Sequence, residues 1–271
     1  MTDVILTGLP RSGATVVSAL IDHLPQSVCL NSPDWHLENA RRMSSRLAFC
    51  KWLVGDFFWQ RLQLMRGEFI PDWRAEDGVP LLDGMHDPRQ AKDDVTNEPL
   101  PISFTRPGLR EGFILAMKHH TLYTALLPML VRFNHFRIIA VIRNPLDVVA
   151  SWQAMEKPPL RRGNPHGIAR FWPEALTVMD AETNETDKFV QLYDLYLQRY
   201  YESREHIDIL RYEDVVRDPG MVGRLFGRQR VPKSAKLIEP RNRMHSQKNV
   251  ERIRASLKKY GIFTREYYAD A

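Results

Sequence analysis

The stretch Val4–Leu24, VILTGLPRSGATVVSALIDHL, restricts the fold more than any other part of the chain. Val4–Thr7 is a β-prone run ended by Gly8 and Pro10, and Val16, Val17, Leu20, Ile21 and Leu24 then recur at helical spacing. Pro25 closes that helix, and a second strand, Ser27–Asn31, follows within a few residues. A strand, a helix and a strand in such close succession point to a parallel sheet.

The rest of the chain continues the alternation. Leu37 to about Arg66 reads as helical and rich in aromatic residues and arginine, whereas 67–110 is rich in Pro, Gly and Asp with no sustained period. The latter reads as an extended excursion over the surface, the usual place for binding loops. Order returns with a strand at Gly112–Lys118, a helix at Leu122–Phe133 and a strand at Arg137–Ile142. A helix start follows Arg143–Asp147, a long amphipathic helix covers Asp187–Glu205, and the strand Ile207–Leu210 leads into Arg211–Asp214. The prediction is an α/β fold in one domain over residues 1–271. It has a parallel sheet of four to five strands flanked by helices, with a variable, acceptor-binding insert around 37–110.

Composition excludes several classes. A hydrophobic share of 44% and a charged share of 26% are those of a globular chain that builds its own core. The two cysteines, Cys29 and Cys50, lie among apolar neighbours and read as buried free thiols, with no ligand spacing for a metal. No apolar stretch reaches the roughly 20 residues of a bilayer span, and no leader pattern precedes Val4, so a cytoplasmic protein is expected. The net charge of +5 suits a polyanionic small ligand, and no long Lys/Arg block marks a nucleic-acid tail.

A glycine loop between a strand and a helix is an anion site, because the first N–H groups of the helix lack partners and its dipole favours negative charge. Gly8 and Gly13 permit the tight turn, and the Thr15 hydroxyl lies in the first helical turn. The spacing is that of a nucleoside-triphosphate loop with one difference. Ala14 stands where such a loop needs its lysine, which argues against an ordinary kinase or NTPase. Arg11 supplies a cation earlier in the loop.

With these features the segment GLPRSGATVVSALI resembles the 5′-phosphosulfate loop of the sulfotransferases, written PRSGTT or PKSGTT. Arg11, Ser12, Gly13 and Thr15 match, and Ala14 replaces the usual threonine while keeping its backbone N–H. RIIAVIRNPLDVVASW resembles the family's second motif, in which an arginine and a serine eight residues later grip the 3′-phosphate; here they are Arg143 and Ser151. LRYEDVVRDP resembles the third, which implies Tyr212 beside the adenine, with Glu213 and Asp214 holding a helix start. A basic segment, IEPRNRMHSQ, offers Arg241 or Arg243 for the late loop that closes on the 3′-phosphate. The resemblance leaves out 37–110 and 153–186. It implies 3′-phosphoadenosine 5′-phosphosulfate (PAPS) as donor, the desulfated nucleotide (PAP) as product, no required metal, and a small-molecule, glycan or lipid acceptor. The competing readings are a small-molecule kinase with a degenerate loop and a non-catalytic nucleotide-binding protein on the same fold.

Sulfuryl transfer needs cations for developing negative charge and a base for the acceptor's hydroxyl proton. Arg11 and Lys118 are the candidate cations. Lys118-His119-His120 resembles the Lys-x-His strand end of the cytosolic branch and makes His120 the first choice of base. Other branches use a carboxylate after the second strand, and NSPDWHLE there offers Asp34, His36 and Glu38.

Overall fold

A computed structural model describes residues 2–74, 101–154, 171–181, 183–228 and 246–269. Arg241, Arg243 and residues 75–100 of the 37–110 insert lie outside these residues.

Five strands form one parallel sheet: β1 (Thr2–Gly8), β2 (Ser27–Asn31), β5 (Ile114–Lys118), β6 (Arg137–Ile142) and β7 (Asp208–Arg211), in the spatial order β2-β5-β1-β6-β7. The runs VILT, SVCL, ILAM and IIAVI are nearly continuously apolar because both sheet faces are covered. Alternate residues serve the two faces. Val4, Leu6, Cys29, Ala116, Ile139 and Val141 pack under α1 (Ala14–Asp22). Ile5, Val28, Leu30, Leu115, Met117, Ile138 and Ala140 belong to the larger core on the other face.

That larger core is roofed by α2 (Asp34–Arg42), α3 (Arg46–Met65), α4 (His120–Phe133), α5 (Pro145–Gln153), α6 (Pro173–Asp180), α7 (Glu185–Glu202) and α10 (Gln247–Tyr260). The helices α8 (Tyr212–Arg217) and α9 (Gly220–Arg224) join α1 on the first face, and α11 (Thr264–Tyr267) follows α10.

Two local features depart from the sequence expectation. The helical stretch expected from Leu37 to Arg66 is two helices, split at Met43–Ser45, where the Ser45 side chain accepts from the Ala48 N–H at 3.1 Å and caps α3. The stretch 67–110, expected to be irregular, contributes an antiparallel pair, β3 (Ile70–Asp72) with β4 (Ile102–Phe104).

A buried charge cluster fastens this pair to the sheet. Arg74 donates to Asp72 at 2.5 Å and to both oxygens of Asp22 at 2.9 and 3.0 Å, while Arg106 donates to Asp22 at 2.6 Å. The Arg74 guanidinium lies 3.7 Å from the Phe104 ring centroid. Burial by itself would raise the Asp22 carboxyl, yet Arg74 and Arg106 hold it below the ordinary carboxylate range. Removing one partner strands the others without water. Asp22→Ala is therefore expected to lower stability by about 3–5 kcal/mol in urea denaturation, with the deficit read from the shifted midpoint.

Candidate active site

The C-terminal ends of the parallel strands share one edge, and the sequence motifs gather there. Strand register decides who meets whom. Leu6 and Asn31 both pair with Lys118, and Ile142 pairs with Arg211. Lys118 thus flanks the β1 loop on one side, while Arg143 and Tyr212, the next residues along β6 and β7, stand together on the other.

The loop after β1 is built for an anion. Gly13 caps α1 in the left-handed region at φ 88°, no side chain caps this helix end, and no acid lies in its first turn. A Cβ on Gly13 would stand 2.1 Å from the Tyr212 ring, and one on Gly8 would stand 2.6 Å from the Val141 carbonyl. Both positions require glycine. Ser12 is buried, and among the described residues its hydroxyl has no hydrogen-bond partner. A buried hydroxyl without a partner is costly unless a ligand completes it. Arg11 holds φ 72°, an uncommon conformation for a residue with a Cβ. That turn directs its side chain to α5, where Nε donates to Ser151 Oγ at 3.1 Å. The Trp152 indole N–H adds a bond to the Pro10 carbonyl at 3.0 Å. Two motifs 140 residues apart in sequence are joined by these contacts.

Lys118 meets the loop's helix from the side. Its Nζ donates to Thr15 Oγ1 at 3.0 Å, from the neighbouring strand rather than from position 14. Burial pushes the ammonium down to about 8, opposed by nearby Cys29 and Asp72. Arg143 donates from Nε and a terminal nitrogen to Asp147 Oδ2 at 3.3 and 3.1 Å, and its guanidinium sits 4.8 Å from the Tyr212 ring centroid. Tyr212 is therefore held between Gly13 and Arg143. The role expected for Glu213 changes: its two oxygens accept from the Asn144 N–H at 2.7 Å and from the Tyr268 hydroxyl at 3.1 Å, so it anchors the start of α5 and not of its own helix. Asp214 pairs with Arg217 at 3.2 Å.

The candidate bases separate by environment. His119 caps α4 by accepting from the Leu122 N–H at 3.3 Å, and burial pushes its imidazole down to about 3. His120 is neutral, held well below its ordinary range by burial and then by Lys118 and His119. Its Nδ1 is buried without a partner among the described residues. His36 is wholly buried with both ring nitrogens engaged, which removes it as a base facing substrate. Asp34 and Glu38 lie on the surface one turn apart on α2, and partial desolvation, opposed by a hydrogen bond with Trp73, acts with the Glu38 charge to raise the Asp34 carboxyl. Among the described residues no group of three His, Cys, Asp or Glu side chains could hold a metal ion, and no helix is long and apolar enough to cross a membrane.

The profile of the family described as "Sulfotransferase domain" matches residues 1–224, a span that includes every element of the site edge. The chain belongs to the sulfotransferase family. Among solved structures it is similar to the sulfotransferase domain from the curacin biosynthetic pathway, with 16% identity over 83% of this chain and 71% of that one and a TM-score of 0.40. It is also similar to the sulfotransferase STF9 of Mycobacterium avium, with 16% identity over 96% and 68% of the two chains and a TM-score of 0.38. Likenesses of that size add nothing to the assignment, which rests on the family profile. No curated protein matches the chain in sequence.

Two outcomes are expected at this sulfotransferase site. Gly13→Ala forces a methyl into the Tyr212 ring and is expected to cost about 1–3 kcal/mol in urea denaturation, while Gly55→Ala, with no atom within 4 Å of the added carbon, costs far less. Lys118 is cationic below about pH 8 and neutral above it in the free protein. Affinity for an anion beside it should hold steady below that pH and fall as pH rises through it, and Lys118→Met should abolish this limb of the pH profile.

Proposed function

We propose that this protein transfers a sulfuryl group from PAPS to a hydroxyl of a small-molecule, glycan or lipid acceptor, releasing PAP, and that it acts in the cytoplasm. The observation that carries the reading is the contact of Arg11 with Ser151, 3.1 Å between Nε and Oγ. It sets the loop for one phosphate beside the helix for another. A nucleotide phosphorylated at both its 5′ and 3′ positions needs two such anchors, whereas a kinase needs its loop lysine, and Ala14 occupies that position.

The residues present fit such a nucleotide. The N-terminus of α1, Ser12 and Thr15 would hold the 5′ end, Arg143 and Ser151 the 3′-phosphate, and Tyr212 the adenine. Arg241 or Arg243 remains our proposal for the closing loop. The donor supplies an activated sulfuryl group and a phosphate leaving group. The protein's part is orientation and charge. Lys118 presents a buried cation, whose interaction with a developing oxyanion is stronger than in water, and Arg11 adds a second, solvent-exposed one. A hydrogen bond to Thr15 holds the Lys118 ammonium at the first turn of α1.

We assign the base to His120. Its imidazole is in the neutral, proton-accepting form, and the unpartnered Nδ1 is a buried lone pair beside Lys118. Anions bound at Lys118 and Arg11 offset the positive charges that depress it, so its basicity rises when it is needed. Asp34 and Glu38 form the second choice, on the exposed side of α2.

The deciding assay uses labelled PAPS against a panel of hydroxylated acceptors. Arg11→Ala and Arg143→Ala should each weaken PAP binding by roughly 10- to 100-fold, the loss of charge-assisted hydrogen bonds. His120→Ala should lower kcat by about 10²–10⁴-fold with PAP affinity retained, and Glu38→Gln and Asp34→Asn should stay within a few-fold of the parent. Failure of the parent protein to bind PAP at micromolar concentrations overturns the reading.

A further inference from the structure

A second group of polar side chains is buried behind the site, and the chemistry above makes no use of it. His36 of α2 is completely inaccessible. Its Nε2 lies 2.7 Å from Asp56 Oδ2 of α3, and its Nδ1 lies 2.6 Å from the Tyr123 hydroxyl of α4. Asp56 also accepts from Trp35 Nε1 and Gln60 Nε2, each at 3.1 Å. Burial by itself would raise Asp56, but these donors, His36 first, hold it below the ordinary carboxylate range, while burial lowers His36.

The proton positions follow from these partners. Ionised Asp56 accepts only, so the neutral His36 ring carries its hydrogen on Nε2. Its Nδ1 must then accept, and the Tyr123 hydroxyl donates to it. The chain runs in one direction, Tyr123 to His36 to Asp56, and joins three helices.

The surroundings do not call for a polar residue. Trp35, Phe49, Trp52 and Tyr123 surround the imidazole with ring centroids 5.3–6.4 Å away. Apolar side chains would fill such a cage, and replacing a whole buried polar group by them is often neutral or stabilising, whereas removing His36 alone leaves Asp56 a buried charge short of one donor. What the hydrogen bonds add is a fixed position. Both ends of that position abut the site. His36 shares the first turns of α2 with Asp34 and Glu38, and α2 starts just after Ser32, whose N–H donates to the Lys118 carbonyl at 2.7 Å. The Tyr123 ring packs 5.8 Å from His119, and the carbonyls of His119 and His120 accept from Thr7 at 3.2 and 2.7 Å.

We propose that the Asp56–His36–Tyr123 chain is a positioning device that sets the start of α2 against the Lys118–His120 corner, with His36 as a positioning residue for sulfuryl transfer. The kinetic half of this proposal rests on the function proposed above. The structural half does not.

Tyr123→Phe removes one hydroxyl and His36→Phe removes both hydrogen bonds with little change of volume. In each variant, hydrogen–deuterium exchange should quicken over residues 34–42 and stay unchanged over 9–20. With labelled PAPS and an acceptor from the panel, kcat should fall about 10-fold or more, while KM for PAPS and affinity for PAP stay within twofold. Asp56→Asn, whose amide oxygen still accepts from His36, should keep more of the parental kcat than either of these variants. Unchanged exchange at 34–42 in both variants overturns the proposal, as does a parental kcat. So does a parallel decline of kcat, PAP affinity and thermal midpoint, the mark of a general structural defect. If the parent protein itself does not bind PAP, the donor assignment fails, and the exchange data still decide whether the chain positions α2.

Discussion

β1 pairs in parallel with β5 on one side and β6 on the other, and the site follows from that double pairing. Parallel strands end on one edge, so the loop after β1, the Lys118 end of β5 and the Arg143 end of β6 face the same space. β2 lies beyond β5 and β7 beyond β6, so the chain leaves β1 in opposite directions. A crevice at such a switch point is where open α/β sheets take their ligands. Arg11 and Trp152 then tie the loop to α5 by two hydrogen bonds.

The electrostatic arrangement has a direction. The buried cations fall into two kinds. Arg74 meets Asp22 and Asp72 in a completed cluster, which serves the fold. Lys118 meets a hydroxyl, depressed to about 8 by burial. A cation in that condition costs stability in the empty site and recovers it when an anion arrives. The left-handed backbone at Arg11 and the Ser12 hydroxyl, unpartnered among the described residues, are costs of the same kind, concentrated at the candidate site.

Much of this was legible in the linear sequence. The parallel α/β class, the strands at Ser27–Asn31 and Arg137–Ile142 and the glycine loop came from periodicity and turn residues, which are local properties. The three-residue strands β3 and β4 carry no period and were missed. The break before α3 had a signal in Ser45, but the helical pattern on both sides masked it. The helix Gln247–Tyr260 was missed, because its charged face outnumbers the Ile253 and Leu257 that it buries.

The sequence by itself determined which residues are candidate anchors, since glycine loops at helix starts and arginine forks leave local patterns. The tertiary structure alone decided their partnerships. Lys118 reaches Thr15, Tyr212 covers Gly13, Glu213 braces α5 and His36 vanishes into a hydrogen-bonded chain because strand register and helix packing bring distant residues within 3 Å of one another. A histidine in a motif can be a base, a cap or a buried link. Only its neighbours in space settle which, because burial and hydrogen bonding set its proton affinity.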